Sequence, residues 1–501
     1  MKTKLINRFY LLLTAVVLVC LASCSSKPKH ARLISKDAFA VVQVNVKQIV
    51  EKAQAGDDKK VADKLKKEVE KMDVSAEAKA KLLKIVEDPA EAGVDLRKPV
   101  LFFFEDPEKS SGGMVAALHD ADKFTELLNS VAKDVAKEGE NASVKEVDGL
   151  FVLPLAENKE VGIVYDGDMV LILGGNDMDM VAEAQRRFKD EKAEGVLARA
   201  DFDALCSAKG DAQVLVWGGL LDKVKDSDLD KLKALLPSNV KGEDLSLLYD
   251  LNTDKGEVTL AMQVVTVTEE AKSLLEEKAE SVGKIDGELL DYVSESGLMA
   301  FAANLKGEEI AKQVMPLLKK EGQLSSEQER LAETFLKNLD GDCLLALRDF
   351  KGNSGDACLL AKVKDEKAVK EVVKALGGPM LEEVEPGQYS FMSEFYVGVK
   401  DGTFYLSTPS PVLSMAKPRK AAEADEFKGK LFFGSIHIPA LMNNEMVKQA
   451  LMSGYSDAPI DALMANCDRF EVSVTSADRC ELRLKMKDDS KNPLELITSA
   501  L

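Results

Sequence analysis

Three histidines, His30, His119 and His437, and five cysteines beyond residue 24 are the side chains whose chemistry could exceed structure. His119 opens the run His119-Asp120-Ala121-Asp122, a spacing that could hold a metal ion. It also stands where an apolar strand gives way to a helix, and capping by an aspartate is the favoured reading. His437 lies inside an apolar strand with no second ligand near it in sequence. The chain has no HExxH and no G-x-S-x-G, although a hydrolytic triad could still assemble across the fold on His119 or His437. Asp226-Ser227-Asp228-Leu229-Asp230 imitates the start of a calcium loop. Lys231 stands where that loop needs glycine, and Pro237 where it needs glutamate, so a helix cap fits better. Asn176-Asp177-Met178-Asp179 reads as a loop entering a helix, and Glu382-Glu383-Val384-Glu385 as a solvated acidic loop. Gly174-Gly175 and Gly218-Gly219 follow strands without opening a phosphate cradle. No catalytic residue, metal ligand or cofactor is therefore expected.

Cys206, Cys343, Cys358, Cys467 and Cys480 show no CxxC spacing. Their odd number prevents complete pairing, and they read as small buried apolar residues, with one disulfide open to an exported chain. Cys343 and Cys358 fall on two strands of one hairpin at unequal distances from its turn, so they are not expected to face each other. The composition, 46% hydrophobic and 31% charged over 501 residues, is that of a globular chain long enough for two domains. Formal charge is −19, which excludes nucleic acid as a natural partner and disfavours anionic lipid headgroups. Aromatics make up 6%, few for a glycan-stacking surface, and Trp217 at a strand end reads as core.

The elements that would position these groups begin after an export signal. Lys2, Lys4 and Arg8 precede an apolar run from Phe9 to Leu21, shorter than the ~20 residues of a spanning helix. Leu21-Ala22-Ser23-Cys24 follows, and it resembles the lipobox of bacterial lipoproteins. The resemblance implies cleavage before Cys24 and acylation of that cysteine, with two or more chains anchoring it stably where one would not. Loss of the three signal cations takes the mature charge from −19 to about −22. Residues 1–23 are thus expected as the signal peptide and 24–32 as a tether. By the same resemblance, serine after the cysteine, without an acidic stretch, implies an outer membrane and its periplasmic face.

Past the tether, one unit occurs twice. Val100 to Phe104, a Gly/Ser turn, Met114 to Leu118 and a helix bearing Phe124, Leu127, Leu128 and Val131 correspond to Cys343 to Leu347, a Gly/Ser turn, Ala357 to Ala361 and a helix bearing Val369, Val372, Val373 and Leu376. The Asp166-Gly167 hairpin corresponds to the Asp401-Gly402 hairpin. Ala212 to Gly219 corresponds to Lys430 to Ser435. The pair Leu247–Asn252 and Glu257–Val264 corresponds to Phe470–Thr475 and Cys480–Lys487. At the front, Ala40 to Lys47 corresponds to Met299 to Lys306. Helical stretches follow both, with Ser75 and Ser326 as expected caps. The reading is α+β: two tandem related halves, 33–285 and 286–490, with antiparallel hairpins backed by helices on one face and a tail at 491–501. Segment 268–290 reads as a charged helical connector.

The phrases Lys36-Asp37-Ala38-Phe39-Ala40-Val41-Val42-Gln43-Val44-Asn45 and Gly93-Val94-Asp95-Leu96-Arg97-Lys98-Pro99, after a lipobox, are similar to a Bacteroidota lipoprotein family of unknown function. That resemblance implies an envelope location and no assigned activity. The expected function is a membrane-anchored, non-catalytic interaction or scaffold module with an envelope protein as partner. The alternatives are a binding protein for a small or lipidic ligand in a groove between the halves, and a hydrolase with a scattered site.

Overall fold

A computed structural model describes residues 27–54, 58–72, 74–106, 111–135, 143–153, 160–176, 179–219, 240–321, 324–351, 354–443 and 465–495. Leu21, Ala22, Ser23 and Cys24, expected as a lipobox, and the Asp226–Asp230 run lie outside them. The chain forms two compact units, Met1–Ala271 with Ser490–Leu501, and Lys272–Asp489. The division precedes the expected boundary at 285/286, because the helix Glu269–Ala279 falls at the division and the stretch from Lys272 belongs to the second unit. The tail joins the first: Asn492 Nδ2 donates to Thr253 O at 3.0 Å, and Gly256 N to Lys491 O.

In the first unit the strands are β1 (Ala40–Val44), β2 (Val100–Asp106), β3 (Ser111–Ala117), β4 (Lys145–Val147), β5 (Leu150–Leu153), β6 (Val161–Tyr165), β7 (Met169–Gly174), β8 (Ala212–Trp217), β9 (Leu245–Asp254) and β10 (Glu257–Thr266). They pair antiparallel in the order β4-β5-β6-β7-β3-β2-β1-β8-β9-β10. The second unit has β11 (Val282–Gly283), β12 (Met299–Lys306), β13 (Leu339–Lys351), β14 (Ser354–Val363), β15 (Leu381–Glu385), β16 (Gln388–Phe391), β17 (Phe395–Lys400), β18 (Thr403–Thr408), β19 (Phe432–His437), β20 (Cys467–Ser476) and β21 (Arg479–Met486). Its order is β15-β16-β17-β18-β14-β13-β12-β19-β20-β21, with β11 beside the far end of β12. Strand for strand, this is the order of the first unit.

Helices cover both faces of the first sheet, where one covered face was expected. Leu82, Ile85, Phe124 and Leu128 from helices Ala76–Glu87 and Ala121–Val135 pack on Val100, Met114, Tyr165 and Ile172. Met180, Phe188, Phe202 and Leu205 from helices Met180–Lys189 and Asp201–Ser207 pack with Leu101, Phe103, Leu171 and Leu215 of the opposite face. The central strands carry the sign of this: β7 reads Met-Val-Leu-Ile-Leu and buries all five. Continuous apolar runs, unlike alternating ones, mean burial on both sides. In the second unit Val369 and Val373 of helix Glu366–Gly377 cover one face, while short 3-10 turns carrying Leu290, Val412 and Phe427 cover the other.

Local signals set the ends of these elements. Ser75 Oγ accepts from Ala78 N and caps its helix as expected. The second cap is Ser325, one residue before the expected Ser326, in a reciprocal pair with Gln328. Asp401 and Gly402 both take positive φ, 49° and 70°, in a two-residue hairpin between Lys400 and Thr403. The corresponding Asp166 turn is built differently: its carboxylate accepts from Asp168 N and Met169 N, both at 2.8 Å. The acidic run Glu382–Glu385 is strand β15, exposed but paired with β16, and not a loop. Cys343 pairs with Ala361 and Cys358 with Ala346, so those thiols do not face each other, and Cys206, Cys343, Cys358 and Cys480 are free.

Candidate functional site

His119, just after β3, and His437, at the end of β19, part company. His119 Nδ1 meets Val94 O at 2.9 Å, and Asp120 caps the next helix through Lys123 N at 3.0 Å. That is the capping expected of the His-Asp-Ala-Asp run. Among the described residues no group of three His, Cys, Asp or Glu side chains converges as a metal site. Asp179 likewise caps its helix by accepting from Ala182 N at 3.1 Å.

His437 sits in a charged cluster. β19, β20 and β21 are in register so that His437, Arg469 and Lys485 form one row, and Ser435, Glu471 and Arg483 the next. With a side-chain period of two, both rows point to the same face. The 3-10 turn Ala422–Phe427 lies over that face, pinned by buried Ala424 and by Phe427 against Phe433, ring centres 4.3 Å apart. It delivers Glu423, which is 6% exposed. Glu423 Oε1 meets His437 Nε2 at 2.5 Å and its Oε2 meets Arg469 Nη1 at 3.1 Å. Arg469 Nε reaches Glu471 at 2.9 Å, and Lys485 Nζ bridges Glu471 at 3.1 Å and Glu426 at 3.0 Å. Burial alone would raise the Glu423 carboxyl. The hydrogen bond to His437 and the charge of Arg469 outweigh it and hold the pKa down at about 2. Sequence reading missed this cluster, because its members come from four separate elements.

Beside it lies a cavity of about 10 Å³ lined by Gly297, Ala300, Ala346, Arg348, Ser435 and His437, room for one water molecule. Ser435 Oγ, 2% exposed, has no hydrogen-bond partner among the described residues. A cleft of about 70 Å³ in the first unit is lined by Lys81, Lys84 and Lys123; Lys81 and Lys123 pair with Glu126 and Glu91.

The first unit has a counterpart at the same register. There the helix Asp201–Ser207 delivers Asp201, 3% exposed, which accepts from Ser246 Oγ and from Arg199 Nη2, both at 2.5 Å. Arg199 stacks on Trp217 at 5.5 Å. Trp217 pairs with Ser246 as His437 pairs with Arg469. In the row behind, Phe103, Val41, Leu215 and Leu248 stand where the second unit has Ala346, Ala300, Ser435 and Glu471. Large apolar side chains fill the first unit at the place where small and charged ones leave the cavity in the second.

His30, expected in a flexible tether, is folded in. Residues Lys29–Leu33 form a 3-10 turn. His30 is 1% exposed with Nε2 on Pro99 O at 3.0 Å. Burial, with Lys98 nearby, pushes its pKa down to about 4.

Residues 30–494 match the family described as Domain of unknown function (DUF4836). The chain belongs to that family. The match runs through both DUF4836 units and starts at the buried His30. No curated protein and no solved structure matches the chain.

Proposed function

We propose that this DUF4836 protein is a lipid-anchored protein of the cell envelope, facing the periplasm from the outer membrane, and that its two tandem related halves act as a non-catalytic interaction module. Export and anchoring rest on residues 1–23 and on Cys24 after Leu21-Ala22-Ser23. The relation of the halves is supported by their common strand order and by the acid, Asp201 or Glu423, delivered to the same register of each sheet. One observation carries the non-catalytic reading. The histidine–carboxylate pair is closed on itself: Glu423 is shared between His437 and Arg469, and the space beside it is the size of a water. A reacting group needs a position about 3 Å from both nucleophile and base, which that space does not provide to a substrate.

The test has two parts. Intact mass of the membrane-extracted chain reads whether Cys24 is the acylated N-terminus. Crosslinking in whole cells, with a Cys24→Ser form as control, reads the partner. If no crosslinked species recurs, the interaction reading fails. A second reading, a serine hydrolase, has the unpartnered Ser435 Oγ in its favour. Fluorophosphonate labelling that disappears in Ser435→Ala would establish it in place of the first.

A further inference from the structure

The chain carries strong net negative charge, yet the place where it leaves the lipid anchor is basic. Pro28 is buried and His30 is bound to Pro99 O. Pro28 is four Cα steps from Cys24, and an extended chain spans at most ~3.6 Å per step, so buried Pro28 lies within about 14 Å of the anchored cysteine. Around Pro28 stand Lys27 and Lys29 from its own segment, and Arg97 and Lys98 from the turn that ends in Pro99. Arg97 is 77% exposed, Lys98 51% and Lys27 45%; Lys29 is exposed too. Lys98 lies close enough to His30 to disfavour its protonation.

One carboxylate among them is spent inward: Asp95, 6% exposed, takes Arg97 Nε at 2.9 Å and Lys98 Nζ at 3.3 Å. Asp203, 57% exposed, pairs with Lys27, and exposed Glu194 lies near it, so Lys27 is balanced at the surface. The buried Asp95 beneath Arg97 and Lys98, with exposed Lys29 on the adjoining segment, turns a positive face outward. Net charge describes the molecule at a distance greater than a Debye length, about 8–10 Å in ordinary salt; at contact the local collar decides.

We propose that the cations around Pro28 seat on anionic phospholipid headgroups of the leaflet that holds the acyl chains of Cys24. The proposal rests on the lipid-anchor reading above. A basic patch next to an acyl anchor adds attraction of order ~1 kcal/mol per Lys or Arg, about fivefold each, and its effect is lost in salt. The collar holds the first unit against the bilayer, in place of a free tether of nine residues.

The experiment uses the full acylated chain in vesicles of phosphatidylcholine alone or mixed with phosphatidylglycerol. Acetylation of lysines by an amine-reactive ester is read residue by residue by mass spectrometry. Labelling of Lys29 and Lys98 should slow about fivefold or more on the anionic vesicles and recover in high salt, while Lys241, 71% exposed, should not change. Lys27→Glu/Lys29→Glu leaves the partners of Asp95 intact, and should restore labelling of Lys98 on anionic vesicles. Equal labelling on both vesicles, in a chain whose intact mass shows acylated Cys24, overturns the collar and leaves the anchor standing. An unacylated Cys24 overturns both.

Discussion

Replacing Glu423 with glutamine tests whether the cluster on β19–β21 is held by charge. The carboxyl titrates at about 2 in the fold against an ordinary value of 4.5. A depression of that size stabilises the folded state by about 3 kcal/mol wherever the group is ionised in both states, that is, above the unfolded value. As pH falls, the unfolded chain takes up the proton first and the contribution declines, to about half at pH 3 and almost nothing at pH 2. Glutamine keeps the shape and cannot pair with Arg469 or His437 as an ion. Glu423→Gln should therefore be less stable than the wild type by about 3 kcal/mol at pH 7, with the gap closing steadily below pH 4.5. Urea denaturation followed by far-ultraviolet circular dichroism, on the mature chain with Cys24→Ser, measures both limbs. The difference between the two proteins cancels the other titrating carboxylates. A gap that is the same at pH 3 and pH 7 would refute the electrostatic account and leave only packing. A gap under about 1 kcal/mol at pH 7 would mean that solvent reaches the cluster as it reaches surface pairs.

His30 should act in a higher window. Its pKa falls from 6.5 to about 4 on burial, so its stabilising effect is complete above pH 6.5 and drains as pH drops toward 4; His30→Asn should flatten the melting temperature over that range. Arg187 bridges Glu105 at 2.7 Å and Glu183 at 2.9 Å with its side chain 12% exposed. Arg187→Ala takes the cation from Glu105, while Glu183 keeps Arg186 at 2.7 Å, and should cost about 3 kcal/mol in urea denaturation, far more than Arg330→Ala in an exposed pair. Burial pushes the thiols of Cys206, Cys343, Cys358 and Cys467 up to about 11. Iodoacetamide at pH 8 should label them only after denaturant is added, since about one thiol in a thousand is ionised; rapid labelling of the native chain would contradict their burial. Ser435→Ala removes a buried hydroxyl with no partner and should leave stability unchanged or slightly raised, as measured by thermal melting.

What could be read without the fold was local. Strand runs such as Val100–Phe104 and Met169–Leu173, the Asp-Gly hairpins and the cap at Ser75 are set by residues a few positions apart, where steric preference and periodicity act directly. The recurrence of these devices in one order was legible for the same reason. The hairpins β4–β5 and β15–β16 escaped notice, because Lys145–Val147 is short and Leu381–Glu385 carries three glutamates; a solvated edge strand looks like a loop when its pairing is unseen.

The sequence by itself determined a family of unknown function, the mixed α+β class and the antiparallel hairpins, since each is written in runs of neighbouring residues. Only the tertiary structure decided what the polar residues do. His30, taken from its surroundings as tether, becomes core because Pro99, far along the chain, offers its carbonyl. Glu423, Arg469 and Lys485 look like ordinary surface charges until the register of β19, β20 and β21 sets them in contact under a buried turn. Periodicity reports which face a side chain takes. The partner it meets there depends on how strands distant in sequence align, and that is decided when the sheet closes.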